Sequence, residues 1–385
     1  MIYSVPYVLL IIFYGILAVY YQGQKEENIK LRIRIVCATV LILFFGFRGF
    51  ICDDWINYYP AFQKCTYADV NVNIFAYKNI QWHMEPGFTL LMCVCKSIVP
   101  NFHFFVFVCT CVNTALLFLF FRNRVENIPL AIILYLCFYG YLMSTNLMRN
   151  AIAILIFINA IKFIESRKPL PYFALCTLAL SFHISSLLYF PLFFIYNIKT
   201  NKWIFLSLFI IGNVVFLFHI PIFLKVAAIL MGDSDGRLQA MVESYTSGNL
   251  AEAKTISIGY LERVFTGILV FCYYESLVLM RKENVIFINA FLTYILLSFF
   301  LSEFGELSLR ISNLFSFAYW ILWGDLIRCF SIENNRKLFI IFMTFYCILK
   351  MIGTTNMITS EYDNVLFGAK SYEERLYIHN RYSKN

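Results

Sequence analysis

The sequence predicts an all-α fold, a polytopic membrane bundle, and two observations carry that expectation. First, 61% of the 385 residues are hydrophobic, only 14% are charged, and the mean hydropathy is +0.71. A soluble domain of this length has no means of hiding so much apolar surface, so lipid must cover it. Second, apolar runs of membrane-crossing length recur along the chain, separated by short loops that collect the basic residues. At about 20 apolar residues per crossing, this patterning allows about 10–13 membrane segments.

Taken in order, helices are expected at 3–21, 31–50, 102–121, 128–145, 149–165, 203–220, 258–280, 284–302, 310–329 and 338–352. The first run has no basic leader and no small-residue cleavage site, and it reads as a membrane helix that stays in the chain. Two runs fit less simply. The stretch 86–99 is short and ends at Pro100-Asn101, and 170–196 is long but interrupted by Ser181-Phe182-His183-Ile184-Ser185-Ser186. The expected organisation is a single membrane domain, 1–352, with large loops at 51–85 and 221–257, followed by a polar tail, 353–385. Loop 221–257 reads as an interfacial helix with a loop behind it, or as a lid.

Lysine and arginine favour cytoplasmic loops. The formal charge of +8 therefore reflects loop chemistry rather than a nucleic-acid surface. Clusters follow the first helix (Lys25, Lys30, Arg32, Arg34), the helix ending at Phe121 (Arg122, Arg124) and the helix ending near Lys162 (Arg167, Lys168). Later ones are Lys199 and Lys202, Arg281 and Lys282, and Arg328, Arg336 and Lys337. All share one side if 86–99 dips into the outer leaflet without crossing and 170–197 is a hairpin turning near His183. That arrangement leaves Arg48, Asp53, Asp54, Glu85, Arg149, His183, Glu303, Glu306 and Arg310 at the outer face. The twelve cysteines lie inside apolar runs without metal-ligand spacing and are expected to be packing residues.

The outer residues carry chemistry of recognisable types. Arg149 opens an otherwise apolar helix, and Asn146, Ala153 and Ala160 share its side at about 100° per residue. A guanidinium there needs a partner or water. Arg48 closes the second helix, with Asp53, Asp54, Trp55 and Tyr58 following. These fit an interfacial belt; they also fit a carboxylate handling a sugar hydroxyl beside an aromatic face. Glu85 before Pro86 is an ordinary helix start. His183 is either a hydrogen-bonded core residue or a general base, set in a turn that needs a polar cavity. Glu306 and Arg310 stand one turn apart and form an ion pair, or leave Arg310 for an anion. Three arginines at outer helix ends favour an anionic ligand, because the guanidinium fork suits phosphate oxygens. At an outer membrane face, the pyrophosphate of a lipid-linked sugar is the candidate.

Five motifs in order resemble the EpsG family of Wzy-like polysaccharide polymerases. They are Phe47-Arg48 with Asp54-Trp55 and Tyr58, Glu85-Pro86-Gly87-Phe88, Met148-Arg149-Asn150-Ala151-Ile152-Ala153, Phe182-His183-Ile184-Ser185, and Leu309-Arg310-Ile311-Ser312. Asn150 stands where the family usually has glutamine. Cys52-Asp53 stands where a glycine is expected shortly before Asp54.

The resemblance implies a GT-C-like membrane glycosyltransferase that joins repeat units carried on undecaprenyl pyrophosphate, outside the bacterial inner membrane. It implies no cofactor and no metal. Its partners would be the lipid-linked donor and acceptor, the bilayer and a chain-length regulator protein, with no nucleic acid. In that frame Arg149, Arg310 and Arg48 hold pyrophosphate. His183 or Asp54 acts as base, and Glu85 orients a sugar or an arginine. Trp55, Tyr58, Asp53 and Glu306 meet sugar. An O-antigen ligase-like transferase, a flippase for the lipid-linked unit and a membrane acyltransferase using His183 are the competing classes.

Overall fold

A computed structural model describes residues 2–70, 84–220, 222, 256–302 and 304–382; within it the side chains of 305 and 306 are not described. Most of loop 221–257, with its interfacial-helix and lid readings, therefore lies outside the described residues, as does Glu303. The described chain is helical, with no strand. It divides into two compact units, Met1–Phe193 with Glu333–Asn385, and Phe194–Ile332.

The first unit contains α1 (Val5–Gly23), α2 (Glu27–Leu41), α3 (Trp55–Lys64), α4 (Pro86–Ile98), α5 (Phe102–Phe121), α6 (Ile128–Tyr135), α7 (Tyr141–Thr145), α8 (Met148–Glu165), α9 (Pro169–Leu180) and α10 (Leu192–Ile195). Its centre is α8, buried nearly all round against α5 and α9. A helix that is apolar on every side belongs inside a bundle. Ala153 and Ala160, expected on the Arg149 side of the helix, are fully buried. Their small side chains bring neighbouring helices close to α8.

Among the described residues, four helices are long and apolar enough to cross a membrane: Ile2–Gly23, Phe102–Phe121, Ile128–Thr145 and Glu333–Thr355. A fifth crossing results if the pair Ile258–Cys272 and Tyr274–Met280, bent by 69°, counts as one. Other expected spans are shorter because the helices break. The run 31–50 gives way to a π-helical turn at Ile42–Gly46 before Arg48. The run 128–145 keeps its expected length, although a second π turn, Leu136–Gly140, bends it where Tyr139 takes φ +79°. At 1.5 Å per residue, α4 and α9 reach only about 20 Å.

The interrupted run folds back on itself. Beyond Ser181 the chain turns at His183 into a 3-10 segment, Ile184–Tyr189. The Tyr172 hydroxyl donates to the Tyr189 carbonyl at 2.6 Å, and Tyr172 and Phe173 pack on Phe193 and Phe190. Residues near the start of α9 thus meet residues after the turn, which makes a hairpin with His183 at its bend.

The second unit contains α11 (Lys202–Leu217), α12 (Ile258–Cys272), α13 (Tyr274–Met280), α14 (Asn284–Phe300), α15 (Gly305–Ser312) and α16 (Phe317–Cys329). Here α14 is the buried centre, against α11, α15 and α16. The run expected as one helix over 310–329 is two, joined by a 3-10 turn, Asn313–Phe315. Ser312 donates back to the Ser308 carbonyl at 2.6 Å, a bond that bends helices.

The tail, expected to stand in water, packs into the first unit after α17 (Glu333–Thr355) and ends in α18 (Tyr372–Tyr382). The Val365 amide donates to the Phe47 carbonyl at 2.8 Å, and Gly49 donates to Asp363 at 3.1 Å. Arg375, only 2% exposed, reaches Asp363 at 2.9 Å and the Glu361 carbonyl at 2.7 Å. A side chain on Gly49 would strike the Asp363 carboxylate.

Candidate functional site

Four places in the first unit converge: the loop before α3, the start of α4, the start of α8 and the hairpin turn after α9. Glu85 joins three of them. One carboxylate oxygen lies 2.6 Å from Arg149 Nη1, and the other accepts the Ile184 amide at 3.2 Å. The Glu85 side chain is 3% exposed and the Arg149 side chain 26%. A buried pair of this kind holds only when further hydrogen bonds satisfy its atoms. The Ile184 amide serves the carboxylate in that way. Arg149 Nε is buried and has no hydrogen-bond partner among the described residues.

Pro86 pre-sets the first turn of α4, and Gly87 lets that turn approach the hairpin. The Gly87 amide donates to the Ser181 carbonyl at 2.8 Å. A methyl at Gly87 would stand 2.5 Å from Ser181 Oγ and 2.9 Å from its carbonyl oxygen. Gly87→Ala is therefore expected to cost about 1–3 kcal/mol. It should also displace the turn carrying His183. A thermal midpoint together with product chain length checks both effects.

His183 is held from its own turn. Its Nδ1 lies 2.7 Å from Ser185 Oγ and 3.2 Å from the Ser185 amide, and Ser185 Oγ lies 3.3 Å from Asn150 Oδ1. The serine hydroxyl has one proton to give. Donated to Nδ1, it leaves the ring proton on Nε2. Nδ1 is an acceptor in either case, because the Ser185 amide donates to it, so the neutral ring carries its proton on Nε2. Asn150, the residue that departs from the family's glutamine, accepts the serine proton when it is not given to Nδ1.

Asp54 is brought to the same place through Asn146, whose Oδ1 accepts the amides of Asp53 at 3.1 Å and Asp54 at 2.7 Å. Asp54 is half-buried at the start of α3. Tyr58, one turn on, lies under Arg149, with the guanidinium 5.8 Å from the ring centre. Burial pushes the Tyr58 hydroxyl up to about 12, with the Arg149 charge working against it. Asp53 turns the other way, to His379 of the tail at 3.3 Å. Partial burial raises its carboxyl, and His379 offsets part of that rise.

Cys52 explains the glycine expected before Asp54. Its φ is +64°, the left-handed region that glycine enters without cost. Its amide donates to Thr359 at 2.9 Å, and its carbonyl accepts Trp55 Nε1 at 2.8 Å. Cys52→Gly should therefore be tolerated, trading lost side-chain burial against about 1 kcal/mol of relieved backbone strain. Cys52→Val should lower the thermal midpoint clearly, because a branched side chain resists this conformation. Equal midpoints for the two variants would rule out strain at this position.

Three expected placements need correction. Arg48 is 2% exposed, and its Nε donates to the Ser144 carbonyl at 3.0 Å, so it braces the loop instead of presenting a fork outward. Trp55 and Tyr58 are each 3% exposed. Neither offers an open ring face to a sugar: Trp55 packs on Phe50 and Tyr372, and Tyr58 on Phe88. Their burial comes from the tail and α4, long-range partners that local patterning does not show.

Arg310 belongs to the second unit, exposed on α15, and the Glu306 side chain expected to pair with it lies outside the described residues. That unit also holds charges that hydropathy reading passed over. Glu262 and Arg263, in the apolar run of α12, are 3% and 8% exposed. Glu262 accepts the Thr266 hydroxyl at 2.7 Å, Thr266 accepts Trp323 Nε1 at 3.2 Å, and Arg263 reaches the Tyr294 hydroxyl at 3.5 Å. The adjacent Glu-Arg pair inside an apolar run was the available signal. Among the described residues, no three His, Cys, Asp or Glu side chains converge on a point that could hold a metal.

The profile of the EpsG family matches residues 31–366. No curated protein and no solved structure matches the chain.

Proposed function

Because the chain belongs to the EpsG family, and is thereby a polysaccharide-polymerase-like membrane protein, we propose that it is a glycosyltransferase acting on lipid-linked repeat units. Both substrates are oligosaccharides on undecaprenyl pyrophosphate. The observation that carries this reading is Arg149, a quarter-exposed guanidinium fixed by Glu85 on one nitrogen, with N–H groups to spare for an anion. Such donors call for acceptor oxygens, and a pyrophosphate supplies several.

In the proposed reaction, an acceptor sugar hydroxyl attacks the anomeric carbon of the donor. The bond from that carbon to the pyrophosphate oxygen breaks, and the lipid pyrophosphate leaves with the electron pair. Arg149 offsets the charge that builds on the leaving oxygens. Asp54 takes the hydroxyl proton, and His183, whose Nδ1 accepts the Ser185 amide, presents Nε2–H as a donor to a substrate oxygen. Glu85 is a positioning residue, acting through Arg149 and the Ile184 amide.

The site is proposed to face outside the inner membrane of a bacterium. Arg149 opens α8, whereas Lys162, Arg167 and Lys168 gather at its far end, about 27 Å away at 1.5 Å per residue. Arg124 pairs with Glu165 at that far end, at 2.6 Å. Basic residues there mark the cytoplasmic side.

The purified protein in lipid vesicles, supplied with one synthetic lipid-pyrophosphate-linked repeat unit, tests the proposal. A ladder of products is expected, with one lipid pyrophosphate released for each linkage made. Transfer only to a separate acceptor, without a ladder, would identify a ligase instead.

A further inference from the structure

A second polar site lies at the other end of the first unit. The end of α1, the start of α2 and the segment between α5 and α6 enclose a cavity of about 310 Å³. This is the lower end of the range for small-ligand sites. Tyr21, Glu27, Lys30, Arg34, Arg122 and Glu126 line it, three cations against two carboxylates.

The charges are arranged with the cations inward. Arg34 Nε donates to the Tyr21 hydroxyl at 3.1 Å, and its Nη2 reaches Glu27 at 2.9 Å. Lys30 Nζ lies 3.3 Å from the same carboxylate. Glu27 is 71% exposed, whereas Lys30 and Arg34 are 25% and 29% exposed. An exposed carboxylate at the mouth therefore holds two partly buried cations, and surface pairs of that kind are weak. An anion entering the cavity can displace it.

The surroundings point to a lipid rather than a free ion. On the two helices whose ends line the cavity, Ile16 and Val19 of α1 and Leu31 and Ile35 of α2 are each more than half exposed. The flanking helices α1 and α5 are of membrane-crossing length. The cavity thus sits where the headgroup layer meets hydrocarbon, with an apolar track alongside. We propose that it binds the phosphate of an anionic membrane phospholipid, whose acyl chains lie along α1 and α2. Basic pockets between membrane helices bind headgroups by this chemistry.

Native mass spectrometry of the full chain, released from nanodiscs, tests the proposal. The probes are phosphatidylglycerol, phosphatidylcholine and inorganic phosphate. The wild type should retain one phosphatidylglycerol, preferred about tenfold over phosphatidylcholine, and millimolar phosphate should not remove it. Lys30→Ala with Arg122→Ala should abolish the preference. Arg122→Glu alone, altering an exposed side chain with no buried contact to lose, should do the same without disturbing the fold. Equal retention of the two lipids, unchanged preference in the variants, or displacement by inorganic phosphate would overturn it.

Discussion

Arg149→Ala is expected to reduce polymer formation about 10²–10³-fold, the usual loss when one preorganised donor to developing charge is removed. In cells the surface glycan should collapse to single repeat units on a gel. Arg149→Lys should recover little. An ammonium is a point charge without the planar fork, and cannot both meet Glu85 and present a second N–H to a phosphate oxygen. The alanine variant should still fold, because Glu85 keeps the Ile184 amide at 3.2 Å. Unchanged chain length in Arg149→Ala would remove the basis for the proposed reaction.

Glu85→Ala should be the most destabilising single change at the site, by about 3 kcal/mol. It leaves a guanidinium without its carboxylate and strands the Ile184 amide beside His183. The estimate sits at the low end of the range for a broken buried pair because the Arg149 side chain keeps 26% exposure. Glu85→Gln should fall between wild type and alanine. Its amide has one oxygen for two donors, so either Arg149 or Ile184 loses its acceptor. The double variant Arg149→Ala, Glu85→Ala should be less destabilised than the sum of the two single changes, since the unpaired charge is gone. Thermal midpoints of the four proteins in detergent measure this, and strict additivity would show that the pair is not coupled.

Much of this site could be read from local chemistry. Arg149 stood out because a charge in an apolar run demands a partner. His183 stood out because a break in an apolar run demands a turn. Glu85-Pro86-Gly87 reads as a helix start, but the reason for Gly87 lies 94 residues further on, at Ser181. The glycine expected before Asp54 reflected a real backbone demand, met here by Cys52 at φ +64°. Arg48 and Trp55 were placed wrongly because their burial depends on residues 363–379, more than 300 positions away. The same long-range contact turned the expected solvent tail into part of the first unit. Helix lengths were overestimated at 31–50, where a π turn ends the helix, and at 310–329, where a serine back-bond and a 3-10 turn divide it, since hydropathy does not register such breaks. Glu262 and Arg263 were passed over because their many apolar neighbours outweigh the charges in an averaged window.

The central claim is that Arg149, fixed by Glu85 beside the His183 turn, binds the pyrophosphate of a lipid-linked substrate. Its most direct test is the binding of lipid pyrophosphate against lipid monophosphate to the purified protein, wild type and Arg149→Ala. The account predicts that the wild type binds the pyrophosphate at least about tenfold more tightly, a difference of about 1.4 kcal/mol, and that Arg149→Ala abolishes this preference. A preference that survives intact in Arg149→Ala would contradict it.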